Sequence, residues 1–158
     1  MGRVLPVEDL VQLREQFRRE KKKVVFTNGC FDIIHRGHIE YLAKAKALGD
    51  VLVVGLNTDP SVRKIKGENR PIISQDDRAF IVSNLAAVDY VCLFEEETPL
   101  NLIRTLVPDV LIKGSDWKKD TIVGKDIVEQ AGGYVATIDF VPHRSTTDII
   151  QRIVDRFK

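Results

Sequence analysis

Short β-branched runs alternate with longer segments of helical period along almost the whole chain, and this alternation constrains the fold more than any other feature. The runs are Val24-Val25-Phe26-Thr27 and residues 51–56, 90–94, 110–113 and 134–140. Val7 to Arg19 carries Val7, Leu10, Val11, Leu13 and Phe17 at helical spacing. Gly37 to Leu48 carries Ile39, Leu42, Ala43 and Ala45 on one face, with Gly49 placed as its C-terminal cap. Further helices are expected over 75–87 and 122–131, and Thr98-Pro99 reads as an N-cap and first helical residue of one running to Leu106. Asp59-Pro60 opens a short helical turn before an exposed loop over 64–71. Five strands joined by helical crossovers require a parallel sheet covered on both faces. The expected class is therefore α/β, a Rossmann-like, doubly wound, parallel five-stranded sheet in a single domain. Residues 1–22 read as an N-terminal helix and a basic connection, and residues 23–158 as the domain itself. Ligands of such sheets sit at the carboxyl ends of the strands, where the loops after Thr27, Leu56 and Lys113 converge.

Charge and cysteine content narrow the classes of function. The 24 Lys and Arg against 23 Asp and Glu leave a formal charge of +1, so no global field recruits nucleic acid or an anionic membrane surface. Any phosphate site must be local. Two cysteines, Cys30 and Cys92, make no disulfide framework, the N-terminus lacks a secretory pattern, and no apolar run approaches the roughly 20 residues that span a bilayer. The expectation is a cytoplasmic protein.

The chemistry is concentrated in Cys30-Phe31-Asp32-Ile33-Ile34-His35-Arg36-Gly37-His38, directly after the first long strand. Neither G-x-G-x-x-G nor G-x-x-x-x-G-K-[ST] is present, so the sequence supports neither dinucleotide nor P-loop chemistry. His35 falls just before a helix and His38 in its first turn, with Gly37 permitting close backbone approach. Free N–H groups and the positive end of the helix dipole suit an anion such as a triphosphate. Two other readings stand beside this one. H-x-x-H is a metal-ligand spacing, although His143 is the only further histidine. The rings are otherwise a structural pair bonded to backbone carbonyls. Near the far end, Ser145-Thr146-Thr147-Asp148 has capping-box spacing and predicts a second helix N-terminus.

Taken in order, the run Asn28 to Asp32, His35-x-Gly37-His38, Gly49-Asp50, Asn57-Thr58-Asp59, Lys66-Gly67 with Arg70-Pro71-Ile72, Asp77-Arg78, Lys113-Gly114-x-Asp116 and Ser145-Thr146-Thr147 resembles the cytidylyltransferase-like nucleotidyltransferases. Within them the chain is most similar to the stand-alone form of the heptose 1-phosphate adenylyltransferases, which also occur fused behind a sugar kinase. The resemblance implies transfer of AMP from ATP to D-glycero-β-D-manno-heptose 1-phosphate, with Mg2+ bound alongside ATP, and dimers or higher homo-oligomers. It implies catalytic roles for His35, His38 and Arg78. It also implies nucleotide contacts from Thr27, Asn28, Gly29, Cys30, Phe31, Gly37, Lys113, Gly114, Asp116, Ser145, Thr146 and Thr147. Asp32, Lys64, Lys66 and Arg144 are expected around the substrate phosphates, Asp32 either orienting its loop or serving the metal, and no protein metal ligand is assigned.

The chain departs from the family where Pro142-His143-Arg144 replaces the usual acidic residue, glycine and small residue, beside the second phosphate site. Gly114-Ser115-Asp116-Trp117 is equally similar to glycerol 3-phosphate cytidylyltransferases, so a CTP-dependent enzyme acting on a polyol phosphate is an alternative. A non-catalytic nucleotide-binding module is another. Class I aminoacyl-tRNA synthetases use a comparable histidine pair, but 158 residues leave no room for tRNA recognition.

Overall fold

Every strand of the sheet is parallel to its neighbours, as the crossover pattern requires. The structure is a computed structural model that describes residues 2–115, 121–142 and 144–158. In chain order the strands are β1 (Arg3–Val4), β2 (Val24–Gly29), β3 (Val51–Asn57), β4 (Tyr90–Phe94), β5 (Val110–Gly114) and β6 (Tyr134–Ile138). The helices are α1 (Val7–Arg19), α2 (Arg36–Lys46), α3 (Asp59–Lys66), α4 (Gln75–Ser83), α5 (Leu100–Leu106), α6 (Lys125–Gln130) and α7 (Thr146–Arg156). The sheet runs β1-β4-β3-β2-β5-β6. The order reverses beside β2, between the halves that lead to β3 and to β5, so the crevice expected of a doubly wound sheet opens at the end of β2.

The strand period of two divides the core between the faces. Val24 and Phe26 of β2 pack with Leu10 and Phe17 of α1 and with Leu102, Ile103 and Leu106 of α5. Val25 packs on the other face with Tyr41, Leu42 and Ala45 of α2 and Ala79 and Val82 of α4. Central strands buried on both faces read as continuous apolar runs, which is why Val51 to Leu56 shows no polar alternation. No helix among the described residues is long and apolar enough to cross a membrane.

Among the described residues the sheet has six strands rather than five. Arg3 and Val4 give no periodic signal, yet Gly2, Arg3 and Leu5 donate backbone bonds to Ser83, Asp89 and Val91, closing the edge along β4. Residues 1–22 thus supply β1 to the sheet and α1 to one of its faces. Several boundaries also shift: α4 ends at Ser83 and β6 at Ile138, short of the expected 87 and 140, and α6 spans only Lys125–Gln130. Helix α2 ends at Lys46 with Ala47 as cap, not at Gly49. Gly49 is small for a different reason, since a Cβ there would lie 2.7 Å from Val25 Cγ2 and 2.8 Å from the Lys23 carbonyl oxygen. Helix α5 is capped by Pro99 rather than Thr98. Helix α3 continues through Lys66 into what reads as loop, and stops where Gly67 takes a positive φ of 94°.

Candidate active site

The site is built on the turn that carries the chain from β2 into α2. Phe31 takes a left-handed φ of 44°, a conformation costing a non-glycine residue about 1–3 kcal/mol and found where the surroundings enforce it. Its ring fills the space in front of Gly29, where an added Cβ would meet Phe31 Cε2 at 2.9 Å, and stands 5.2 Å from the His38 ring. His35 is the N-cap of α2 but makes no side-chain capping bond, and no acidic residue occupies the first turn. That helix end therefore keeps its positive electrostatic character. Helix α7 begins beside it. Ser145 Oγ accepts from the Asp148 amide at 3.0 Å, as the capping spacing predicts, and Thr146 Oγ1 donates to the Ile33 carbonyl at 3.3 Å. A Cβ on Gly37 would fall 3.0 Å from the His35 ring and 3.3 Å from the Arg144 carbonyl oxygen. Gly37 is thus the point where the two helix N-termini meet. Alanine in its place should favour the helix by up to about 1 kcal/mol yet displace His35 by a few tenths of an ångström. We expect Gly37→Ala to hold or raise the melting temperature while lowering turnover about tenfold or more, as thermal denaturation and initial rates will read.

The imidazoles of His35 and His38 stack with centroids 3.9 Å apart and planes 23° from parallel. Among the described residues neither buried Nδ1 atom has a hydrogen-bond partner, the kind of orphaned polar group that marks a site awaiting a ligand. Burial, then the neighbouring His35, push the His38 pKa down to about 4; burial and the Arg144 charge lower that of His35. Both rings are neutral near pH 7. Since folded His38 holds its proton less tightly than the unfolded ring at 6.5, the unfolded chain binds more protons between about pH 6.5 and 4. The stability that His38 contributes is complete above pH 6.5 and is lost as the pH falls through that window. Urea midpoints should therefore drop across it, and His38→Gln should flatten the drop.

The backbone after β2, the paired rings and the two helix N-termini line one cavity of about 720 Å³. Residues 26–152, the span that contains all these parts, match the family described as cytidylyltransferase-like. The chain belongs to the cytidylyltransferase-like family. Relatives include the bifunctional protein HldE of Syntrophotalea carbinolica, 56% identical over 151 residues, which are 96% of this chain and 31% of that protein. The bifunctional protein HldE of Campylobacter concisus is 58% identical over 149 residues, 94% of this chain and 30% of that protein. The chain spans about a third of the length of these relatives. Among solved structures, a lipopolysaccharide core biosynthesis protein from Thermoplasma volcanium superposes with a TM-score of 0.62 at 30% identity, covering 76% of this chain and 97% of that one. A pantoate-β-alanine ligase from Francisella tularensis shares the fold, with a TM-score of 0.60 at 15% identity over 99% of this chain and 77% of its own.

Of the residues singled out in this cytidylyltransferase-like sequence, the cavity gathers Asn28, Gly29, Cys30, Phe31, Asp32, His35, Gly37 and His38 from the β2–α2 turn. It adds Lys66 from the end of α3, Lys113 and Gly114 from β5, and Arg144 with Ser145, Thr146 and Thr147 from the start of α7. Lys113 donates to Asn28 Oδ1, joining the ends of the two central strands. Asp116, with Trp117, and His143 lie outside the described residues.

Three residues expected at the site are elsewhere. Thr27 is fully buried, sharing a 2.8 Å bond with the Tyr41 hydroxyl and donating to the Ile112 carbonyl at 3.2 Å. Lys64 faces a second hollow with Glu95, Glu96 and Asn101. Arg78 is fully buried beneath the turn, donating from Nε to the Ile73 carbonyl at 3.0 Å, from Nη1 to the Cys30 carbonyl at 2.6 Å and from Nη2 to Asp59 Oδ1 at 2.7 Å. It holds the site from below and does not line it. The sequence reading gave no site role to other parts of the cavity wall: Asn57 at the end of β3, Glu97, Thr98 and Pro99 after β4, and Phe140, stacked on Tyr41 with centroids 5.7 Å apart, after β6.

No three His, Cys, Asp or Glu side chains come together as ligands among the described residues. Asp32 accepts from the Ile72 and Ile73 amides and from Arg70 Nε. Burial raises its pKa, but the Ile73 and Ile72 amides and the Arg70 guanidinium outweigh burial and leave it below the ordinary carboxylate value. Asp32 orients the loop. Burial raises the Cys30 thiol, which does not favour a reactive thiolate.

Proposed function

We propose that the chain is a nucleotidyltransferase that moves AMP from ATP to D-glycero-β-D-manno-heptose 1-phosphate, giving ADP-heptose and pyrophosphate for a surface-glycan precursor. The observation that carries the reading is the stacked His35–His38 pair, with both Nδ1 atoms unpartnered among the described residues, between the converging N-termini of α2 and α7. That arrangement offers neutral ring donors and two helix dipoles to a polyphosphate without placing a like charge against Arg144. The bifunctional relatives and the Thermoplasma volcanium neighbour, named for lipopolysaccharide core biosynthesis, support a sugar phosphate as acceptor.

In the reaction an ionised oxygen of the acceptor phosphate attacks the α-phosphorus of ATP. The new P–O bond forms as the bond from the α-phosphorus to the bridging oxygen breaks, and pyrophosphate leaves with that electron pair. The nucleophile is already deprotonated near neutral pH, so no general base is needed. The protein's contribution is positioning and stabilisation of charge on the α-phosphoryl oxygens and the leaving group. Mg2+ arrives with ATP as part of the substrate and shields its phosphates.

Pyrophosphate release tests the proposal with ATP or CTP, each against heptose 1-phosphate and glycerol 3-phosphate. ATP with the heptose should be preferred. A strong preference for CTP would replace adenylyl by cytidylyl transfer, and nucleotide binding without turnover on any acceptor would make the chain a binding module.

A further inference from the structure

The cavity has two ends with different chemistry. In the sheet order, β3 and β4 lie on one side of β2, and β5 and β6 on the other. The end beyond β5 and β6 is walled by Val123, Phe140 and Val141, an apolar surface suited to a base. The end beyond β3 and β4 holds the two cations Lys66 and Arg70, the carboxylate Glu97, and the hydrogen-bonding side chains Asn57 and Thr98. The histidines and helix N-termini stand between.

Arg70 is held in an unusual way for a residue so near the surface. Its Nε donates at 2.6 Å to Asp32 Oδ2, whose side chain is fully buried and fixed by the Ile72 and Ile73 amides at 2.9 and 2.8 Å. Neither Nη has a partner among the described residues, and the Arg70 side chain, 17% exposed, lines the cavity. A guanidinium anchored at Nε presents its two Nη donors as a rigid fork, the geometry that matches phosphate oxygens. Lys66 lines the same end, and its ammonium also has no partner among the described residues. Lys66 and Arg70 line the cavity together with Cys30 and Asp32 of the β2–α2 turn. Transfer between two phosphates needs a second anion site, because a bound triphosphate repels the incoming nucleophile. We infer that Arg70, oriented by Asp32, and Lys66 bind the phosphate of the acceptor, and that Asn57, Glu97 and Thr98 face its hydroxyl groups. The inference rests on the phosphate-to-phosphate transfer proposed above.

Two measurements separate it from that reading. Pyrophosphate release by the unaltered protein decides the reaction itself. Given turnover, Arg70→Gln and Lys66→Ala should each raise KM for heptose 1-phosphate at least tenfold, while Kd for α,β-methylene-ATP stays within twofold. Asp32→Asn should raise the same KM, since it frees the fork. Lys66 is exposed at the end of α3, so its variant serves if the loop in Arg70→Gln fails to fold. Independently of the sugar, inorganic phosphate should bind the protein saturated with α,β-methylene-ATP, and at least tenfold more weakly to Arg70→Gln. Loss of nucleotide affinity in step with acceptor affinity would assign both cations to ATP and overturn the inference. Unchanged acceptor KM, or no phosphate binding beside the nucleotide analogue, would overturn it as well.

Discussion

His38→Ala is expected to lower pyrophosphate release by about 10²–10³-fold, the usual consequence of deleting one preorganised donor aimed at charge that develops in the transition state. His35→Ala should cost a comparable factor. Because the rings stack at 3.9 Å, each fixes the plane of the other, and the double variant should lose less than the product of the two single losses. The loss should appear in kcat more than in KM for ATP, since neutral rings add little to ground-state binding beside the two helix N-termini. The fold should survive, because each deletion also removes a buried Nδ1 atom that has no partner among the described residues. Near-normal turnover in either single variant, with native circular dichroism, would remove the histidines from the chemistry and leave a purely structural pair.

How far such residues could be placed from sequence depended on the kind of information each required. The long strands were legible because β-branched runs buried on both faces have few other folded forms, and the H-x-G-H turn because its position between strand and helix follows from those runs. Strand β1 was not legible: two residues carry no period, and its pairing is dictated by the open edge of β4. The lysines show a second limit. Read as loop, Lys64 and Lys66 reach the cavity together; as the last turn of α3, at about 100° per residue, they point to nearly opposite sides. Only Lys66 meets the site, and Lys64 joins Glu95 and Glu96 beyond it. Thr27 fails for the strand counterpart of the same reason, since one residue of offset from Asn28 turns its hydroxyl toward Tyr41. Arg70 was noticed as part of a motif, but its orientation by Asp32 depends on contacts 38 residues apart, which no local pattern encodes.

Arg78 is the clearest case in which stability and catalysis make different predictions. Its place after two aspartates in the first turn of α4 suits a surface residue or a phosphate ligand equally well, yet its side chain is wholly buried. Its fork joins three segments: the Cys30 carbonyl of the β2–α2 turn, the Ile73 carbonyl before α4, and Asp59 at the start of α3. Arg78→Leu should therefore destabilise the protein by about 3–5 kcal/mol, as expected when one partner of a buried pair is removed and the other is left unmatched. Asp59, 24% exposed, regains some hydration, but the Cys30 and Ile73 carbonyls lose their charged donor. Arg78→Lys keeps the charge without the planar fork and should recover only part of the loss, because one ammonium cannot meet three acceptors in that arrangement. Urea denaturation measures both variants. Below the unfolding transition Arg78→Lys should show reduced kcat, since the Cys30 carbonyl fixes the turn from which His35 and His38 project. If Arg78→Leu kept its stability within about 0.5 kcal/mol while turnover collapsed, the surface-substitution range would apply and the residue would be a direct phosphate ligand after all.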